Sequence, residues 1–212
     1  MSEQLLNEIA ECVVTGKNKR MEELVPKALQ DGLTPETVLM QGLVKGMEVV
    51  SNKFKGEEFY IPQVLLSERA LNVGLKFISE KLAQRGFKPR GTLVIGTVKE
   101  DLHDIGKNLV AAMFRGQGFN VVDMTVDVKP EQFLQAAKEH KADVVGMSAL
   151  LTTTMDNMRT TVNVLKQGGF LGRIIVGGAP VTQGFADQIG ADLFAEDAAT
   201  AVDKVKAALG VA

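Results

Sequence analysis

Apolar residues up to about residue 85 recur with the period of a helix. Met21, Leu24, Val25, Ala28 and Leu29 fall at i, i+3, i+4, i+7 and i+8, one stripe of a 3.6-residue repeat. Asp31-Gly32 ends that helix, and Thr34-Pro35-Glu36 opens the next, with Thr34 as N-cap, Pro35 at the first position and an acid in the first turn. Leu39, Leu43, Met47 and Val50 continue its buried face. After Phe59-Tyr60-Ile61, Pro62 starts a long helix with Val64, Leu71, Leu75, Ile78 and Leu82 on one side. With an opening helix over 3–15, the pattern predicts a four-helix bundle joined by short loops.

Gly86-Phe87-Lys88-Pro89-Arg90-Gly91 breaks the periodicity and is the best linker candidate. Beyond it, short continuous apolar runs appear at 92–98, 121–124, 143–150, 173–176 and 193–194, most of them separated by helical segments. Buried strands alternating with helices predict a parallel sheet covered on both faces. The expected fold class is α/β: a helical bundle over 1–87, then a flavodoxin-like, doubly wound domain with a five-stranded parallel sheet over 88–212.

Composition narrows the function. The 24 basic and 26 acidic side chains nearly cancel and form no block of like charge, which argues against nucleic acid or an anionic membrane surface as partner. No run approaches the roughly 18 apolar residues of a membrane span, and the N-terminus lacks a basic secretory region, so a cytoplasmic location is expected. A single cysteine, Cys12, excludes an internal disulfide framework and a cysteine-rich metal site. Only two histidines, His103 and His140, are available for chemistry that needs imidazole.

In a doubly wound sheet, ligands bind beyond the carboxyl ends of the strands, at the switch point between the first and third. That rule selects Lys99–Lys107 after the first strand, Ser148–Thr154 after the third and Gly177–Pro180 after the fourth. Each has a plain structural alternative: His103 exposed near a helix start, the threonines as helix caps, and Gly177-Gly178 as a tight turn needing positive φ. His140, among Lys138 and Lys141 at a helix end, is read as solvated. Met21, Met40 and Met47 are read as core filling. Met147-Ser148-Ala149-Leu150 lacks the acid a phosphorylated receiver needs, and no GxxxxGK[ST] or GxGxxG is present. Asp101 precedes His103 by two residues, a spacing that lets the carboxylate bond one ring nitrogen while the other faces a metal. With no further ligand cluster, a single imidazole suits a metal already held by a macrocycle.

Asp101-Leu102-His103-Asp104-Ile105-Gly106 matches the D-x-H-x-x-G motif of cobalamin-binding domains, and Ser148-Ala149-Leu150 and Gly177-Gly178 match its companion segments. With the helical bundle in front, the chain resembles the corrinoid proteins of methanogen and acetogen methyltransferase systems. It is also similar to the cobalamin module of methionine synthase. The resemblance implies that His103 is the lower axial ligand of cobalt, replacing the cofactor's own base (base-off/His-on). Asp101 would bond its far nitrogen, and Thr154 would complete the relay where the family has serine. Asp104, Ile105 and Gly106 complete the motif's cofactor contacts. Ser148 and Thr152 would line the pocket for the displaced nucleotide tail, Leu150 would be a further cofactor-binding residue, Gly177 and Gly178 would let the tail pass, and Ala195, Asp197 and Ala198 would touch it further on.

The implied cofactor is cobalamin or a related corrinoid, used as methylcobalamin and cob(I)alamin. The implied function is that of a methyl carrier, non-catalytic alone. Its implied partners are a substrate:corrinoid methyltransferase, a corrinoid:tetrahydrofolate or corrinoid:coenzyme M methyltransferase, and a reductive activating protein. The bundle would cover the upper face of the corrin and move about the linker, with Phe59-Tyr60 or the long helix shielding the methyl group; alternatively these aromatics only fill the bundle core. A methylamine, methanol, methoxyaromatic, betaine or methyl thiol donor all remain open. The alternative functions are a cobalamin-dependent sensor or regulatory module and the detached cobalamin subunit of a mutase.

Overall fold

Caps and breakers end the N-terminal helices close to where their residue types demand. Helix α1 (Ser2–Thr15) is followed by α2 (Asn18–Gln30), which stops at Asp31-Gly32. Thr34 caps the short α3 (Pro35–Thr37), its hydroxyl accepting from the Thr37 amide. A π-helical stretch, Val38–Val44, then joins α3 to α4 (Lys45–Lys55) without a break in the chain's helical course. The apolar period does not announce the π winding, because Leu39, Leu43, Met47 and Val50 are buried along it. Helix α5 (Ile61–Gln84) begins one residue before Pro62, with Tyr60 as N-cap.

This computed structural model describes residues 2–211 and divides the chain into two compact units. The first runs to Pro89 and includes Arg115–Gly118; the second comprises Arg90–Phe114 and the residues from Phe119 onward. In the first unit α1 packs on α2, on the π stretch, on α4 and on α5. Ile9, Val13, Met21, Val25, Leu43, Met47, Leu71 and Ile78 form its dry interior. Three expected core residues, Leu29, Met40 and Leu75, are only half-buried. Tyr60 is exposed and Phe59 half-buried, so Tyr60 does not plug the bundle core.

The second unit is a five-stranded parallel sheet in the order β2-β1-β3-β4-β5, the doubly wound order expected. Its elements are β1 (Thr92–Thr97), α6 (Ile105–Gly116), β2 (Asn120–Asp123), α7 (Pro130–Glu139), β3 (Val144–Ser148), α8 (Met155–Gln167), β4 (Arg173–Gly177), α9 (Gln183–Ile189), β5 (Leu193–Ala195) and α10 (Ala198–Leu209). Side chains alternate between faces along each strand. Val94, Val145 and Ile174 share one register row, and Met147 and Val176 the next but one. They pack with Phe133, Met158, Val162 and Leu165 from α7 and α8. Leu93, Ile95, Val144 and Ile175 are buried on the other face. Strand β3 ends before Ala149-Leu150, earlier than its apolar run, because the Leu150 amide turns away to a side chain described below. Among the described residues no helix is long and apolar enough to cross a membrane.

Candidate functional site

At the carboxyl edge of the sheet, Thr97, Ser148, Gly177 and Ala195 lie in one register row across β1, β3, β4 and β5. The loops leaving these residues carry almost all the predicted site. At their centre is Asp101, a fully buried carboxylate. Such a group survives only if its oxygens are bonded. Oδ2 accepts from the Thr154 hydroxyl at 2.7 Å, the Leu150 amide at 2.8 Å and the Leu151 amide at 3.4 Å. Oδ1 accepts from the His103 amide at 3.1 Å and lies 2.8 Å from His103 Nδ1. Burial alone would push this carboxyl up. The Leu150 amide, the Thr154 hydroxyl and the His103 ring and amide outweigh it and hold the carboxyl well below the usual carboxylate range.

An ionised carboxylate only accepts, so Nδ1 of His103 must carry the hydrogen. The neutral ring then presents a lone pair at Nε2. That nitrogen has no hydrogen-bond partner among the described residues, and the His103 side chain is 50% exposed. The two segments tied together by Asp101 carry uncovered apolar side chains: Leu102, Ile105, Leu150 and Leu151 are all exposed, Leu102 at 72%. Concentrated apolar exposure beside a free donor atom is the chemistry of a ligand-binding surface rather than of a solvated loop. His140, by contrast, is an exposed C-cap of α7, as expected.

The loop that presents His103 is braced on every side. Thr97 Oγ1 donates to the His103 carbonyl at 2.8 Å, Asp127 N–H donates to the Asp101 carbonyl at 3.1 Å, and Asn157 Nδ2 donates to the Lys99 carbonyl at 2.8 Å. The Glu100 amide donates to Asp127 Oδ1 at 2.7 Å. Glu100, Thr125 and Asp127 are three of the five non-glycine residues with positive φ among the described residues. Such backbone persists where surrounding bonds over-determine it, and it gathers at functional sites.

The other predicted residues divide into those with a visible task and those without one. Thr154 is positioned at the start of α8 but accepts no capping bond; its hydroxyl faces Asp101 and the Leu151 carbonyl, so the helix-cap alternative fails there. Thr152 and Asp104 are exposed, and Asp104 Oδ2 accepts from Asn108 Nδ2 at 3.0 Å. Asp197 caps α10, accepting from the Ala199 and Thr200 amides and the Thr200 hydroxyl, which occupies both of its oxygens. Gly178 has φ of +124°, and a Cβ there would collide with the Ala149 carbonyl oxygen. A Cβ on Gly177 would lie 2.8 Å from the Ala195 carbonyl oxygen. Both glycines are thus required by the sheet edge itself. Gly106 has open space where a side chain would be.

One pair escaped the reading of the sequence. Lys107 is 2% exposed, and its Nζ bonds both oxygens of Asp123, at 2.6 and 2.8 Å, and Asn108 Oδ1 at 2.6 Å. The available signal was its position: Lys107, Ala111 and Phe114 fall at i, i+4 and i+7, which puts a lysine on the buried stripe of α6.

The donor set decides what kind of metal could sit here. Among the described residues no group of three or more His, Cys, Asp or Glu side chains could hold an ion. One oriented imidazole fits only a metal that brings its other bonds with it, as a corrinoid does.

Fold and loop chemistry thus define a B12-binding domain. Residues 91–205 match a family model described as B12 binding domain, and residues 5–78 match a second model with that description. The chain is 41% identical over 213 residues to a trimethylamine corrinoid protein of Methanosarcina barkeri, covering 99% of this chain and 98% of that one. It is 39% identical over 211 residues to a corrinoid protein of Desulfitobacterium hafniense, covering 97% and 98%. A chain in the crystal structure of the methanol:cobalamin methyltransferase complex MtaBC of Methanosarcina barkeri superposes with a TM-score of 0.91 at 30% identity, over 98% of this chain and 80% of that chain. The chain belongs to the B12-binding family, among the corrinoid proteins of methyltransferase systems.

Proposed function

We propose that this chain is a corrinoid methyl carrier, loaded by one methyltransferase and discharged by another, in which His103 would hold the cobalt in a base-off/His-on complex. The bound corrinoid supplies a cobalt centre that can accept and release a methyl group. The observation that carries the proposal is Nε2 of His103, without a hydrogen-bond partner among the described residues, on a half-exposed ring whose Nδ1 is held by a buried, ionised Asp101. Asp101 and Thr154 set the strength of that ligand. The negative carboxylate, 2.8 Å from Nδ1, makes the ring a better donor at Nε2 and fixes its orientation.

Leu150, Ser148, Thr152, Gly177, Gly178, Ala195 and Ala198 form the remainder of the proposed cofactor-binding surface, with Asp104, Ile105 and Gly106 beside His103. Asp197 contributes by capping α10 next to it. The proposed partners are a substrate-specific methyltransferase, an acceptor methyltransferase using tetrahydrofolate or coenzyme M, and a reductive activator. Relatives named for trimethylamine and dimethylamine support the carrier over a sensor, and they make methylated amines the first donors to try. Incubating the reduced, cobalamin-loaded chain with a methylated amine or methanol and the cognate methyltransferase tests the proposal. Stoichiometric appearance of the methylated cofactor's visible spectrum is expected. Loading without methylation by any donor system, together with a light- or ligand-dependent change in assembly, would favour a sensor instead.

A further inference from the structure

An ion pair between a buried lysine and a partly exposed aspartate is linked to the histidine loop, and neither the ligand relay nor the cofactor contacts account for it. Lys107 and Asp101 are the charged residues buried in the described structure, and only Asp101 has a task so far. Lys107 begins α6, two residues after the helix starts, and its ammonium spans to Asp123 at the last position of β2. Asp123 Oδ1 also accepts from the amide of Thr125, which has positive φ. The Thr125 carbonyl accepts from the Thr97 amide at 3.0 Å, and the Thr97 hydroxyl donates to the His103 carbonyl at 2.8 Å. A second path runs from Lys107 Nζ to Asn108 Oδ1, and from Asn108 Nδ2 to Asp104, the residue next to His103. The polar contacts therefore run from the His103 carbonyl round to the Asp104 carboxylate, both on the histidine loop.

We infer that Lys107 and Asp123 are positioning residues: their ion pair, anchored by the buried lysine, clamps the first turn of α6 to the end of β2 and thereby fixes where the His103 imidazole stands. Burying a lysine costs several kcal/mol in desolvation, and a hydrophobic side chain would serve packing at least as well. What a hydrophobic side chain would lack is the directional link to Asp123, on which the strained Thr125 turn depends. The inference rests on His103 being the ligand, so its test must separate the two.

The full-length chain is compared as wild type, Lys107→Met, Lys107→Arg, the double variant Lys107→Met/Asp123→Leu, and His103→Ala. In the cofactor-free protein, Lys107→Met is expected to speed hydrogen exchange of the His103 amide about tenfold, with amides of α8 and β4 unchanged. With cobalamin it is expected to lower affinity about 10- to 100-fold and to shift the spectrum toward the unligated form. Lys107→Arg restores most of the His-on signature. The double variant leaves no unpaired buried charge, so it folds even where Lys107→Met does not, and it still binds weakly and poorly His-on. Full affinity and a wild-type spectrum in the double variant, with His103→Ala defective, would overturn the positioning role alone. An unchanged spectrum in His103→Ala would overturn the ligand assignment, and this inference with it.

Discussion

The helical unit and the sheet unit treat polar groups in opposite ways. In the helical unit the pairs of Arg20 with Glu8 and Glu23, Lys53 with Glu58 and Arg85 with Glu36 are partly or largely exposed, and that of Arg115 with Glu68 is better covered. The unit's interior is largely aliphatic; its buried polar side chains are the uncharged Ser51, Ser67 and Gln117, of which Ser67 donates to the Val14 carbonyl. In the sheet unit, Thr97, Asp101, Lys107 and Thr154 are all buried, and hydrogen bonds link each, directly or through one or more neighbours, to the loop that carries one exposed imidazole. Desolvating charge is expensive, so a fold concentrates it where fixed geometry matters more than stability. Stability in the first unit comes from packing that many sequences could supply; precision in the second comes from a few directed bonds.

Substitutions can break or sharpen this contrast. The largest effect is expected from Asp101→Ala, which leaves five donors facing a cavity. Urea unfolding of the sheet unit should lose about 3–5 kcal/mol, and cobalamin affinity should fall with it. A normal midpoint would mean that the buried carboxylate is not the keystone of the edge. Next, Leu71→Ala should cost the helical unit about 2–5 kcal/mol through its cavity while leaving the His103 NMR signals in place. Cys12 gives an independent readout of that unit. Burial pushes its thiol up, despite the nearby Lys17 and Arg20 charges, so native alkylation should be slow. Leu71→Ala should accelerate it, whereas Asp101→Ala should not.

Gly178→Ala is expected to cost about 1–3 kcal/mol from its positive φ alone. It should also displace the Ala149-Leu150 loop, weakening the Leu150 bond to Asp101, which amide shifts of Leu150 would reveal. Thr154→Val removes one charge-assisted bond and should cost about 1.5–3 kcal/mol. Thr154→Ser should be close to neutral in cobalamin affinity. Smallest of all, Arg20→Ala should leave the thermal midpoint unchanged, because its pairs are exposed. A marked drop there would blur the distinction between the units.

These outcomes bear on how much a sequence discloses. The strand order, the four helices and the Asp101–His103 pair were legible because each is encoded by local spacing: apolar periods, caps, and two residues that meet within one loop. The Lys107–Asp123 pair was not, since its partners lie 16 positions apart on different elements. Gly178 was legible as a glycine, but the atom that forbids a side chain there, the Ala149 carbonyl oxygen, comes from another loop. Asp197, singled out through the family resemblance, caps a helix start, a role its position before Ala198-Ala199 also signals. The π winding of Val38–Val44 left no trace in the apolar pattern.

The most direct test of the central claim is electron paramagnetic resonance of the chain loaded with cob(II)alamin, prepared with ordinary and with 15N-labelled histidine. The account predicts superhyperfine splitting from one protein nitrogen that changes from a triplet to a doublet on labelling. That splitting should vanish in His103→Ala and persist in His140→Gln. A splitting indifferent to histidine labelling, or retained in His103→Ala, would contradict it.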